Sequence, residues 1–242
     1  MFNTLRRIRF FYDKKIDYYA ASLSFFTLFA FVPILLILLY FSSMIGLLEE
    51  IHHNFVSLFG VFIPNYSAVN VYLESFIKID SSIGFTGMFY IVVVSVVFLR
   101  DYQQVICKVL KVKMMQMQVL SFYINHLVFI PSLIFLYFYT YEFFHLNFVY
   151  HPIMFFIFFI AYLFAIPSAK MNFWLLVRIS VVVSFLWELV KNFYIFYTVY
   201  NKAYVTLYGS LSAVFFLLLW VYISWILYLY GLKYYHLRSS RT

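Results

Sequence analysis

Polar positions are sparse in this chain, and six apolar runs lie between them: Ala20–Ile45, Ile83–Leu99, Val119–Tyr141, Pro152–Ser168, Ile179–Tyr197 and Leu207–Leu232. A helix that crosses a bilayer takes about 20 mostly apolar residues, within a range of roughly 17–25. Each run reaches that length, the second and fourth being the shortest. The runs are continuous and lack the ten-residue alternation of a transmembrane barrel strand, so they predict helices. The stretch between the first two runs, residues 46–82, is mixed. Glu49, Glu50, His52, His53 and Asn54 open it, and Phe55, Leu58, Phe59, Phe62, Val69, Leu73 and Phe76 follow, interrupted by Pro64. That pattern predicts two short amphipathic helices lying on the membrane or capping the bundle.

Composition closes off the alternatives. Of 242 residues, 66% are hydrophobic and 11% charged, where a soluble domain has roughly 45–50% and 25%. Too few polar side chains remain to coat a globule in water. Mean hydropathy is +0.92. With six glycines, five prolines and one cysteine, the chain is also no disordered, collagen-like or disulfide-built protein. Cys107 alone permits no intrachain disulfide. The expected fold is all-α: a polytopic six-transmembrane-helix bundle forming one integral membrane domain over residues 1–242. Within it, 1–19 is a basic arm, 46–82 the external amphipathic loop and 233–242 a tail.

The net charge of +8 matters less than its placement. Arg6, Arg7, Arg9, Lys14 and Lys15 precede the first run, and Arg100, Lys108, Lys111 and Lys113 follow the second. Lys170 and Arg178 flank the fourth connection, and Lys233, Arg238 and Arg241 end the chain. Fourteen of 17 Lys and Arg thus fall on one side of the membrane, the cytoplasmic side by the bias of basic loops. Both termini are expected there, as an even number of spans requires. The first run is too long for a cleaved signal and lacks an Ala-x-Ala ending, so it reads as a retained anchor.

The fifth run carries the candidate chemistry. Ser180, Ser184, Glu188 and Asn192 recur every fourth residue with Lys191 among them, and at about 100° per residue they share an arc of about 120°. Glu188 falls at the middle of the run. An ionised side chain there costs ~2.5–3.5 kcal/mol on insertion scales, so it must face the bundle interior or a wet cavity and find a partner. Lys191, three residues on, is the nearest. His126 in the third run lies at a similar depth, with Asn125 beside it as a hydrogen-bond donor. Two readings follow: a polar clamp between helices, worth ~0.6 kcal/mol per bond, or a transport or proton-linked pathway.

Elsewhere the runs carry packing signals. Ala20, Ser24 and Thr27 share one face of the first run, and small residues let helices approach closely. Pro33 near its centre frees a carbonyl, which either shapes packing or exposes backbone to a solute. Gly209 and Ala213 open the sixth run in a small-xxx-small pattern. Enzyme chemistry has little support. No phosphate-binding loop, H-E-x-x-H, G-x-S-x-G or paired-cysteine motif occurs, and nine scattered acidic residues form no carboxylate cluster for a metal pair. No catalytic residue, metal or cofactor is expected. Basic residues flank membrane runs and line no aromatic groove, which argues against nucleic acid.

Two stretches carry a resemblance: AASLSFFTLFAFVPILLILL from Ala20, and YGSLSAVFFLLLWVYISWILYLYG from Tyr208. With FLWELVKNFYIFYTVYNKAYVTLYG and FLRDYQQVICKVLKVK in their places, the chain resembles the YihY/BrkB family of bacterial inner-membrane proteins. The resemblance implies six spans with both ends inside, and an activity variously given as ribonuclease, serum-resistance factor or transporter. The residue inventory opposes the first. Carried over residue by residue, it singles out Ser22, Thr27, Pro33, Trp187, Glu188, Tyr208, Gly209, Ser210, Trp220, Tyr222 and Gly231. One departure stands out: the family commonly follows its final glycine with Ala-Glu, whereas Gly231 is followed by Leu232 and Lys233. The expected function is movement or handling of an envelope-related solute or lipid through a polar pathway lined by the fifth helix. Membrane lipids, and an anionic solute or headgroup drawn to the cationic face, are the expected partners. The alternative is a non-transporting scaffold or envelope-integrity factor.

Overall fold

A computed structural model describes residues 13–45, 84–112, 150–166, 171–200 and 211–239. These form five helices: α1 (Lys14–Ile45), α2 (Gly84–Leu110), α3 (Tyr150–Ala165), α4 (Phe173–Tyr200) and α5 (Leu211–Ser239). Among the described residues there is no strand. The helices fall on five of the six predicted runs. The third run lies outside the described residues, as do the loop 46–82 with its predicted amphipathic helices, His126, Asn125, and the Tyr208, Gly209 and Ser210 motif.

Helix ends lie beyond the apolar runs on one side. α1 starts six residues before Ala20, α2 continues eleven past Leu99, and α5 seven past Leu232. The basic arm and the tail are thus partly helical. The backbone ladder does not stop where hydrocarbon stops; it stops at a cap. Asp13 caps α1, its Oδ1 accepting the Lys15 N–H at 3.1 Å, and Asn172 caps α4 by accepting the Leu175 N–H at 3.2 Å. α2 closes with the Val112 N–H donating to the Cys107 carbonyl at 3.1 Å. That Schellman bond needs a left-handed residue at position 111, usually glycine. Here it is Lys111, at φ 52°.

α5 is the hub, packed against α1, α2 and α4, while α1 also packs on α2 and α3 on α4. Close approach depends on small residues. Ala20 and Ser24 of α1 are fully buried, and the Ser24 hydroxyl donates back to the Ala20 carbonyl at 2.5 Å, leaving no polar group unsatisfied at the contact. Thr27 donates to the Leu23 carbonyl (2.7 Å) and accepts the Trp225 indole N–H from α5 (3.0 Å). A Cβ on Gly231 would fall on the Tyr162 hydroxyl and reach 2.8 Å from Val183 Cγ2. One missing side chain therefore lets α3, α4 and α5 meet. Around that point Tyr162 and Tyr228 stack, rings 4.8 Å apart and 4° from parallel. The hydroxyls of Tyr102 and Tyr228 bond at 2.6 Å, joining α2 to α5.

Phe173–Tyr197 of α4 and Phe215–Ser239 of α5 are long and apolar enough to cross a membrane, and only a third of each span's apolar window is buried. A core helix of a soluble domain would be mostly buried. The outer face of α4 shows what replaces a protein partner: Val181, Val182, Phe185, Leu186 and Leu189 are exposed, with exposed Phe173 and Trp174 at one end and Phe196, Tyr197 and Tyr200 at the other. Trp174 to Tyr197 is about 35 Å of helix, close to a hydrocarbon core of about 30 Å with an aromatic belt at each edge. The chain is an integral membrane protein.

Basic residues gather at one end. The Asp13–Lys233 pair joins the start of α1 to the end of α5, Lys108 of α2 lies over Tyr19 of α1, and the Asn172 N–H donates to the Tyr235 hydroxyl at 2.6 Å. α1 and α4 therefore begin where α2, α3 and α5 end. Eight of the nine described Lys and Arg residues lie in that half of the bundle, Lys191 alone in the other.

Candidate functional site

The inward face of α4 is built on Leu176, Ile179, Ser180, Val183, Trp187 and Tyr194, all buried. Counting about 100° per residue from Ser180, Leu176, Val183, Trp187 and Tyr194 lie to one side of it. Ser184 and Glu188 lie within about 80° on the other. The polar stripe is therefore one flank of the buried face rather than its centre. Asn192, at about 120°, falls past that flank and is exposed.

Both serines are satisfied within their own helix. Ser180 Oγ donates to the Leu176 carbonyl and Ser184 Oγ to the Val181 carbonyl, each at 2.9 Å. Such back-bonding allows a hydroxyl to be buried without a partner from another helix. Glu188 is different. It is 9% exposed and lies three residues, about 4.5 Å, from the midpoint of the span Phe173–Tyr197. Its Oε1 pairs with Lys191 Nζ, while its buried Oε2 has no hydrogen-bond partner among the described residues. An ionised carboxylate offers about four acceptor positions, and leaving a buried polar atom unpaired costs about 1–3 kcal/mol, more when it is charged. The arrangement can take one further donor at Oε2: a proton, a water, or an N–H or O–H of a solute.

An aromatic wall holds the pair. Lys191 Nζ lies 5.7 Å from the Trp187 ring centroid, within cation–π range. The Trp187 indole N–H donates to Ser224 Oγ of α5 at 3.0 Å, and that hydroxyl donates to the Trp220 carbonyl at 2.9 Å. Trp187 meets Trp220 edge-on at 5.0 Å, and the Tyr194 hydroxyl donates to the Phe216 carbonyl at 2.6 Å. The rotamer of Trp187, and with it the platform under Lys191, is fixed from α5.

The motif residues divide accordingly. Thr27 is a contact residue of the α1–α5 crossing, Trp187 and Trp220 of the α4–α5 crossing, and Gly231 of the point where α3, α4 and α5 meet. Ser22 and Tyr222 are half-buried, and α1 runs unbroken through Pro33. The departure after Gly231 also has a structural place: Lys233 Nζ meets Asp13 Oδ2 at 2.9 Å and lies 5.5 Å from the Tyr230 ring centroid. The hydrogen bond from Lys233 holds the Asp13 carboxyl below its ordinary range. Sequence reasoning missed that pair, together with Ser224 and the Tyr102–Tyr162–Tyr228 group. With 24 tyrosines in the chain, nothing in the pattern marks three of them. The i, i+3 placement of Tyr228 and Gly231 was the one available signal.

The family model described as Virulence factor BrkB matches residues 8–241. The match covers nearly the whole chain, which therefore belongs to that family. No solved structure matches it.

Proposed function

We propose that this member of the BrkB family is a multi-pass protein of the bacterial inner membrane, with six spans and both termini in the cytoplasm, that moves or handles an envelope-related solute or lipid along the polar flank of α4. The observation that carries the reading is Glu188: near mid-span, buried, paired on one oxygen with Lys191 and without a hydrogen-bond partner on the other among the described residues. A carboxylate at that depth is expensive, and a functional pathway is the usual reason to keep one. The orientation draws its support from the eight basic residues sharing one half of the bundle. The protein is read as neither an enzyme nor a ribonuclease.

A second reading, a membrane scaffold or envelope-integrity factor, is favoured by one observation. Ser180 and Ser184 spend their hydroxyls on their own helix, as packing residues would. Proteoliposomes separate the two. Wild-type protein should move a fluorescent phosphatidylglycerol analogue, or an entrapped anionic fluorophore, several-fold faster than protein-free vesicles, and Glu188→Gln should fall to the protein-free rate. A Glu188→Gln rate equal to wild type would sink the pathway. A wild-type rate no faster than protein-free vesicles with both probes would leave the scaffold.

A further inference from the structure

We infer that Lys15, Lys108 and Lys111 form a binding site for the phosphate of an anionic phospholipid headgroup, in the groove where the start of α1 meets the end of α2. The inference rests on the proposed orientation only in reading this end as the membrane–water interface; it is independent of any transport. The groove is fixed by an aromatic contact: Lys108 Nζ lies 5.6 Å from the centroid of the Tyr19 ring. Lys15 stands one turn before Tyr19 on the same face of α1. Lys111 follows Lys108 at the tip of α2. All three lysines are exposed.

None of the three lysines is held in an ion pair among the described residues. Among the described residues the ion pairs are Glu188–Lys191 and Asp13–Lys233. Asp13 and Asp17 are the acids nearest Lys15 along the chain: the Asp13 carboxylate is taken by Lys233 and by the α1 cap, and Asp17, about 200° around α1 from Lys15, lies toward Tyr222 and Tyr230 of α5. Asp101 stands two turns, about 10 Å, before Lys108. Lys111 adds a separate observation. It occupies the left-handed position that closes α2, where glycine is unstrained, so a long cation is kept at the tip against the backbone's preference.

Depth selects the ligand. α1 turns apolar at Ala20, one residue past Tyr19, and neighbouring Tyr18 is exposed, so the ring sits where headgroups begin. A phosphodiester there meets three ammonium donors and an aromatic edge, and its acyl chains can follow the exposed Phe25 and Phe29 down α1. A free phosphate would gain nothing from those two rings.

Native mass spectrometry of protein extracted from phosphatidylcholine vesicles containing phosphatidylglycerol tests the site. Wild type should retain phosphatidylglycerol over phosphatidylcholine, and Lys15→Gln/Lys108→Gln/Lys111→Gln should lose at least fivefold of it. A control removing three exposed charges in the same half of the bundle, Arg100→Gln/Arg178→Gln/Arg238→Gln, should stay within twofold of wild type. Equal losses in both triples would overturn the site in favour of a diffuse field, and unchanged retention in the first would overturn it outright. Glycerol phosphate at millimolar concentration should not displace the lipid; displacement would show a soluble-phosphate site instead. Monodisperse elution and unchanged helical circular dichroism in both triples establish that each variant is folded.

Discussion

The Tyr162 hydroxyl occupies the space that a side chain at Gly231 would fill. From there it donates to the Tyr228 carbonyl at 3.0 Å, and the stacked pair of tyrosines locks α3 onto α5. The glycine serves neither a turn nor a cap; it is the gap through which three helices touch. Gly231→Ala should therefore destabilise the protein by about 1–3 kcal/mol, the usual range for overpacking a filled core. Thermal unfolding in detergent should report a lower midpoint, and a variant as stable as wild type would contradict the contact.

Hydroxyl contact between Tyr102 and Tyr228 makes a second prediction. Each phenylalanine variant should cost about 1 kcal/mol, the net worth of a typical buried hydrogen bond. The double variant should cost less than the sum of the two, because both remove the same bond. Additive losses would mean that the two hydroxyls do not act as a pair.

The buried pair in α4 should be asymmetric to mutation. Lys191→Met leaves Glu188 alone in the interior and should cost about 3–5 kcal/mol, whereas Glu188→Met/Lys191→Met should be close to neutral or stabilising. Chemical denaturation of both variants measures the difference. A double variant as unstable as Lys191→Met would contradict the account of the pair.

Lys111 should be a site where stability is gained. Left-handed backbone costs a non-glycine residue about 1–2 kcal/mol, so Lys111→Gly, which keeps the Val112 to Cys107 bond, should raise the unfolding midpoint. An unchanged or lower midpoint would show that the lysine is unstrained.

At the basic end, acid should open the Asp13–Lys233 contact. The folded carboxyl titrates below its ordinary value of 3.8 because Lys233 bonds to it. Its contribution is therefore complete above that value and fades as the pH falls through the folded pKa. The pair is partly exposed, so the effect should be under about 1 kcal/mol. Asp13→Asn should remove one component of the acid-limb loss of stability, and Asp13→Lys/Lys233→Asp should restore it. Identical acid limbs in wild type and Asp13→Asn would contradict the contact.

How much of this was legible beforehand follows from what each feature depends on. Helix positions depend on runs of apolar residues, so the five described helices stand where the sequence pattern puts them. Their ends depend on single caps, Asp13 and Asn172, and on a left-handed lysine, which hydropathy does not register. Glu188 and its partner Lys191 were readable because both lie on one helix, three residues apart. Asn192 was placed with them by a 120° arc drawn around the polar residues, but burial is centred on the Leu176–Val183–Trp187 side, so the arc's far edge is exposed. The contacts across helices, Trp187 to Ser224, Trp225 to Thr27 and Asp13 to Lys233, join residues 37 to 220 positions apart. Pattern along the chain holds no information about such pairs.

The central claim is that a donor can reach Glu188 in the interior, and thiol accessibility measures that most directly. In a Cys107→Ala background, Ser184→Cys and Glu188→Cys are exposed to a membrane-impermeant methanethiosulfonate in sealed vesicles of each orientation, with Phe185→Cys as the lipid-facing control. Modification is expected at 184 and 188 from at least one side, and none at 185. Protection of both inner positions from both sides, in protein that labels fully once unfolded, would contradict it.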